Sequence, residues 1–164
     1  MADSPPGIHG PGSLRGMADQ TESSIEIDAS PAQIMAVIAD LPAYPQWSDG
    51  ITSVEVLSVY EEDGRPADAR FHLESGPIRD TYELEYDWDG DAKVTWTLTK
   101  GDMVTAMDGV YELTPHGDAT TVKYRLAVDV KIPMLGMIKR KAEKVIIDTA
   151  LKGLKERVES GAAG

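Results

Sequence analysis

The feature that most constrains this chain is its last long segment, residues 133–160 (PMLGMIKRKAEKVIIDTALKGLKERVES). It follows a succession of short segments and is long enough for a helix of 28 residues, which at ~1.5 Å per residue spans about 40 Å. Ile147, Leu151, Leu154 and Val158 recur at the spacing of one buried helical face. Ile138, Ala142, Val145, Ile146 and Thr149 form a second stripe on nearly the opposite side. Around Val145-Ile146-Ile147 the helix is apolar on most sides, so the reading expects it to be enclosed there.

The segments before it read as an antiparallel meander. Residues 23–28 alternate as a strand with Ile25 and Ile27 inward, and a helix start follows. Ser30 is its N-cap, Pro31 its first position, and Gln33 stands three residues after the cap. Ile34, Val37 and Ile38 share one side before Leu41-Pro42 interrupts, and 43–47 reads as a short second helix or turn. Strands are then expected at 51–60, 67–74, 78–88, 92–100, 103–113 and 119–130, separated by turns such as Asp63-Gly64, Ser75-Gly76, Asp89-Gly90 and Gly117-Asp118. Alternation points Phe71, Leu73, Tyr82, Leu84, Tyr86, Trp88, Val94, Trp96, Leu98, Met107, Tyr111, Leu113, Val122, Tyr124, Leu126 and Val128 inward. Arg70, His72, Glu83, Glu85, Thr95, Thr97, Lys123 and Arg125 face the other way, toward water. Residues 1–22 are expected to be a disordered leader, 23–160 a single domain, and 161–164 a disordered tail. Met17-Ala18-Asp19 reads as a second start, which makes residues 1–16 an upstream extension or a cloning remnant.

Composition removes several classes of function. There is no cysteine, hence no disulfide, thiol nucleophile or cysteine-held metal. No apolar run reaches the ~20 residues of a membrane span and there is no apolar signal region, so a cytoplasmic location is expected. Net charge is −12, distributed unevenly: residues 131–164 hold eight basic and four acidic residues, against eight basic and 24 acidic before them. An acidic body disfavours nucleic-acid binding. The basic helix face of Lys139, Arg140, Lys141, Lys144, Lys152 and Lys155 is either a solvated face or a contact for a membrane or protein partner. A monomer or weak homodimer is expected.

His72 and His116 stand alone, and Asp87, Asp89 and Asp91 lack the downstream glutamate of a calcium loop. No metal and no cofactor is expected, since the phosphate, dinucleotide and serine-hydrolase motifs are absent as well. The inward set contains no ionisable side chain other than tyrosine. Asp108 could turn inward only through a bulge before Gly109, and Arg79, Asp80 and Arg140 are candidates for a rim. Catalytic residues are therefore expected to be none, leaving enzyme activity open but disfavoured.

Residues 25–47 (IEIDASPAQIMAVIADLPAYPQW) resemble the opening of the polyketide cyclase/dehydrase and lipid transport branch of the SRPBCC (START-like) superfamily, with its D-x-x-x-Y-P-x-W signature at Asp40, Tyr44, Pro45 and Trp47. Residues 109–113 (GVYEL) resemble the branch's G-x-Y-x-L strand, and 133–136 its lead into the last helix. The resemblance implies an α+β helix-grip fold: a curved antiparallel sheet of about seven strands around a long C-terminal helix, with two short helices after the first strand. It also implies a cavity between helix and sheet, in a superfamily that includes aromatic polyketide cyclases, lipid carriers, quinone-binding proteins and toxin-like proteins. A dry void of about 300 Å³ would cost on the order of 7 kcal/mol at ~24 cal/mol per Å³, close to a domain's whole stability of about 5–15 kcal/mol. Such a cavity holds water or ligand, or closes; the plainer alternative is that the aromatics fill the core. The expected ligand is a small hydrophobic or aromatic molecule such as a polyketide, lipid or quinone, lined by Trp47, Phe71, Tyr82, Tyr86, Trp96, Met107, Tyr111, Tyr124, Ile138, Ala142 and Val145. Trp47 is expected to gate the mouth or to staple the helix pair. The alternatives are a cyclase or dehydrase, and an interaction protein working through Lys139, Arg140 and Lys141.

Overall fold

The computed structural model describes residues 20–75, 77–132 and 136–163. Its elements run β1 (Thr21–Ile27), α1 (Pro31–Ala39), a 3-10 helix (Leu41–Gln46), β2 (Ile51–Val59), β3 (Pro66–Ser75), β4 (Ile78–Asp89), β5 (Lys93–Lys100), β6 (Val104–His116), β7 (Ala119–Val130) and α2 (Gly136–Ala163). The strands form one antiparallel sheet in the order β1-β7-β6-β5-β4-β3-β2. β2 to β7 are a meander, while β1 lies at the far edge. The connection from β1 to β2 must therefore cross a face of the sheet, and α1 with the 3-10 helix forms that crossing. Register shifts in the β2–β3, β4–β5 and β6–β7 pairs mark bulges, which bend strands and curve the sheet.

The local reasons are those of the sequence. Ser30 Oγ accepts from the Gln33 N–H at 3.2 Å while Gln33 Oε1 accepts from the Ser30 N–H at 3.0 Å, a closed capping box with Pro31 behind it. α1 buries Ile34, Met35 and Ile38 and ends at Asp40, ahead of Pro42. On the sheet's outer face, Arg70 pairs with Glu55 and Glu83, Glu112 with Arg125, and Asp108 accepts from Thr97. On the inner face Leu84, Val94, Leu113, Val122 and Leu126 are buried, and from the helix Ile147, Leu151, Leu154 and Val158 complete the core.

α2 is bonded along the edge strand β1. Thr21 Oγ1 donates to Glu143 at 2.7 Å, Lys144 Nζ to Ser23 Oγ at 3.2 Å, Lys155 Nζ to the Glu26 carbonyl at 2.8 Å, and the Asp28 N–H to Glu159 at 3.0 Å. From Thr21 to Asp28 an extended strand advances about 23 Å at ~3.3 Å per residue, and from Glu143 to Glu159 a helix advances about 24 Å at ~1.5 Å per residue. The two elements thus run side by side in the same direction, and the contacts stay in step. The edge that β1 would otherwise offer to another chain is covered.

The described elements run from Thr21 to Ala163; residues 1–19 of the expected leader at 1–22, and the helix lead at 133–135, lie outside the described residues. One expectation changes. The helix is not enclosed at Val145-Ile146-Ile147: Ile147 is buried, whereas Val145 and Ile146 are exposed. The sheet can take only one face of a helix laid along β1 and β7, and the Ile147–Val158 stripe occupies it.

Candidate functional site

Antiparallel register sets aromatic residues opposite one another on the concave face. Phe71 faces Tyr82, Tyr86 faces Trp96, and Tyr111 faces Tyr124. Their rings continue into a single belt. Phe71 stacks on Tyr82 at 5.5 Å between ring centroids, and Tyr86 on Trp88 at 5.5 Å. Trp96 meets Tyr111 at 5.4 Å and Tyr124 at 5.7 Å, and Tyr111 meets Tyr124 at 4.6 Å. Phe71 links to Tyr86 and, through Tyr44, to Trp47. Nine of the chain's ten aromatic residues belong to this belt. The tenth, Tyr60, donates to the Tyr86 carbonyl at 2.5 Å from outside it. Gly109, opposite Trp96, makes the middle of the belt possible, because a Cβ there would collide with the indole ring.

The polar tips of the belt divide into two groups. At one end the Tyr44 hydroxyl donates to the Ile38 carbonyl at 2.6 Å; at another, Trp88 Nε1 donates to the Pro66 carbonyl at 2.7 Å. The hydroxyls of Tyr82, Tyr86, Tyr111 and Tyr124 make no hydrogen bond among the described residues but are not fully enclosed, whereas Trp47 Nε1 and Arg125 Nε are enclosed and unpartnered among them. Burial pushes the hydroxyls of Tyr44, Tyr82, Tyr86, Tyr111 and Tyr124 well above the usual phenol range. Negative charge on Tyr82, Tyr124 or Tyr111 would raise Tyr86 further, and charge on Tyr111 or Tyr82 would raise Tyr124. These oxygens therefore share one interior region, where at neutral pH each is an uncharged group able to donate and accept.

Of the residues expected to line a site, Phe71, Tyr82, Tyr86, Trp96, Tyr111 and Tyr124 come together in buried positions, and Trp47 joins them half-buried. Met107 packs half-buried against the core and Ala142 is half-buried on the helix. Ile138 and Val145 are exposed on the outer face of α2, away from the belt, for the reason given above. The Trp47 backbone lies so close to Gly153 of α2 that a Cβ there would meet the Trp47 carbonyl. Tyr44 and Trp88 belong to the belt although the expected lining did not include them; Tyr44 sits in the Y-P-x-W stretch that carries the family resemblance.

Among the described residues one carboxylate is fully buried, although the expected inward set held no Asp, Glu, His, Lys or Arg. Glu143 accepts from Thr21 Oγ1 through one carboxylate oxygen and from the Val128 N–H at 2.8 Å through the other. It stands four residues before Ile147, in line with the buried stripe, which is the signal that could have found it. Its oxygens are committed to the β1–β7 margin rather than to the belt. Asp108 is exposed, since the bulge in β6 falls between Val104 and Ala106 instead. Asp80 holds the Thr81 and Val104 N–H groups, and Arg79 and Arg140 are exposed.

Among the described residues no three His, Cys, Asp or Glu side chains are grouped to hold a metal ion. His72 lies between Glu55 and Thr81, and Asp91 of the acidic hairpin pairs with Arg65 at 2.6 Å. A surface groove of about 520 Å³ opens beside the β5–β6 turn, with Leu98, Lys100, Asp102, Val104 and Lys131 in its wall. No described helix is long and apolar enough to cross a membrane.

No curated protein matches the chain. Solved structures resemble it over most of its length. A START superfamily protein from Mycobacterium smegmatis is 27% identical with a TM-score of 0.80, covering 86% of this chain and 97% of that one. A protein from Thermus thermophilus is 22% identical with a TM-score of 0.70, covering 87% and 98%. The Zhui aromatase/cyclase from a Streptomyces species is 13% identical with a TM-score of 0.66, covering 85% and 93%, a likeness of fold alone. The family model described as polyketide cyclase / dehydrase and lipid transport matches residues 18–159. Fold and family together point to a START-like ligand-binding or polyketide cyclase domain. Through a match spanning both edges of the sheet and the long helix, the chain belongs to the polyketide cyclase / dehydrase and lipid transport family.

Proposed function

We propose that the protein binds a small, neutral, flat molecule bearing oxygen substituents, of the polyphenol, polyketide or quinone kind, against the aromatic belt between sheet and α2. The observation that carries this reading is the set of four hydroxyls on buried tyrosines that make no hydrogen bond among the described residues and are not sealed by the packing around them. A polar group sealed away unpaired would cost about 1–3 kcal/mol, so hydroxyls deep in the fold that are open to accessible space rather than bonded to protein call for water or a ligand beside them. A ligand that stacks on the rings and exchanges hydrogen bonds with the hydroxyls relieves that cost. The Arg65 guanidinium lies 5.4 Å from the centre of the Trp88 ring but is already paired with Asp91, so an anionic ligand buried on the belt would lose its hydration without a free counter-charge. A neutral aromatic is thus favoured over a fatty-acid carboxylate.

Binding is better supported than turnover. General acid–base catalysis needs a group titrating near the working pH, and burial moves the belt's tyrosines away from it. Glu143 has both oxygens engaged elsewhere. Thermal melts against neutral polyphenols and quinones, with fatty acids of similar size beside them, test the reading. A ligand at 100 times its dissociation constant adds about 2.7 kcal/mol to stability, a readily measured rise in Tm. Stabilisation by the neutral aromatics and none by the fatty acids is expected. A rise with fatty acids alone, or with none of the panel, overturns it.

A further inference from the structure

The first half of α2 carries two apolar faces, of which the fold uses one. At about 100° per residue, Ile138 and Val145 stand opposite the buried Ile147–Val158 stripe. They are 54% and 59% exposed, with Ile146 at 45%, Met137 at 79% and Ile132, just before the helix, at 55%. Isolated exposed apolar residues are ordinary, but Ile138 and Val145 share one face of α2, with Ile146 and Met137 about a quarter-turn to either side of it. Arg140, Lys141 and Lys152 are exposed on the same helix and form no ion pair among the described residues. Lys141 and Lys152 flank the apolar stripe along one border.

We propose that this half of α2 docks the protein on an anionic lipid bilayer, the apolar stripe entering the headgroup region and the flanking cations meeting lipid phosphates and carboxylates. The helix combines what interfacial helices need, an apolar face bordered by lysine. The distribution of charge gives it an orientation as well. Residues 131–164 hold eight basic and four acidic residues, whereas the chain before them holds eight basic and 24 acidic. A negative surface attracts the helix and repels the sheet, so the molecule approaches with the stripe forward. A second copy fits less well, because an antiparallel two-fold contact centred on Val145 brings Lys141 of one copy beside Lys152 of the other. The proposal is independent of the ligand reading above.

Co-sedimentation of the full chain with phosphatidylcholine vesicles, with and without phosphatidylserine at about a third of the lipid, tests it. Binding is expected only to the anionic vesicles, weakening as salt rises. Lys141→Glu with Lys152→Glu weakens binding about tenfold or more, on the scale of the contribution of each basic residue near a charged membrane. Ile138→Ser with Val145→Ser does likewise. Lys123→Glu, on the outer face of the sheet, leaves it unchanged, and melts of each variant show that the fold is kept. Absence of binding to the anionic vesicles, binding indifferent to both helix variants, or equal loss with Lys123→Glu overturns the proposal. So does a solution dimer dissolved by Ile138→Ser with Val145→Ser, which would assign the stripe to a second copy.

Discussion

Gly109 and Trp96 show how far a single residue can set the site. The two stand opposite each other on β6 and β5, and the indole ring occupies the volume that any larger residue at 109 would claim. Trp96 in turn touches Tyr86, Tyr111 and Tyr124, so a displaced indole disturbs the belt on both sides. Gly109→Ala is expected to lower stability by about 1–3 kcal/mol, the usual effect of overpacking, and to shift the tryptophan emission of the folded protein. Chemical denaturation followed by fluorescence measures both; an alanine variant as stable as the parent would mean that Trp96 has free space to move. The glycine was visible in the sequence as part of G-x-Y-x-L, but its partner was not, because cross-strand register decides which side chain it must admit.

Among the elements, the pairing of α2 with β1 is the contact between chain ends that closes the fold. Glu143 sits at its start and satisfies both Thr21 Oγ1 and the Val128 N–H. Glu143→Ala leaves the half-buried Val128 N–H without this acceptor and is expected to cost about 1–3 kcal/mol. Glu143→Gln retains one acceptor oxygen and should lose less, so the order of melting temperatures parent, glutamine, alanine is the outcome to look for. Equal loss in both variants would mean that charge rather than hydrogen bonding matters there. Elements of this kind were legible where local chemistry punctuates the chain: Ser30, Pro31 and Gln33 announced α1, and the Asp-Gly turns bounded the meander. Periodicity also revealed two apolar stripes on α2, yet it could not say which of them the sheet would take. That choice depends on where a helix of fixed length can lie beside β1 and β7. Glu143 was missed for the related reason that a carboxylate on a buried stripe looks solvated until its two partners, distant in sequence, are brought to it.

The whole molecule carries a consequence in its response to alkali. Unfolded tyrosines titrate near pH 10, and the buried tyrosines of the belt titrate above that because burial penalises the phenolate. Above pH 10 the unfolded chain therefore releases protons that the folded state still holds, and stability falls as pH rises. Below it these groups contribute no pH dependence. Stability measured by denaturant at a series of alkaline pH values should decline in parallel with a delayed, cooperative ionisation of tyrosine in the absorbance spectrum. Ionisation near pH 10 without unfolding would place the hydroxyls in water. The placement of aromatics on the concave face was readable from alternation, whereas the lack of partners for their hydroxyls was not, since it depends on every element packed around them. The most direct test of the belt as a binding surface is a tryptophan-fluorescence titration of the parent and of the double variant Tyr111→Phe, Tyr124→Phe with a neutral polyphenol. The variant keeps both rings and loses only hydroxyls, so ligand-free stability should stay level or rise. Affinity should fall roughly fivefold or more, the loss of two hydrogen bonds of about 0.5–1.5 kcal/mol each. Unchanged affinity, or a variant less stable without ligand than the parent, would show that those hydroxyls serve the fold and would contradict the binding reading.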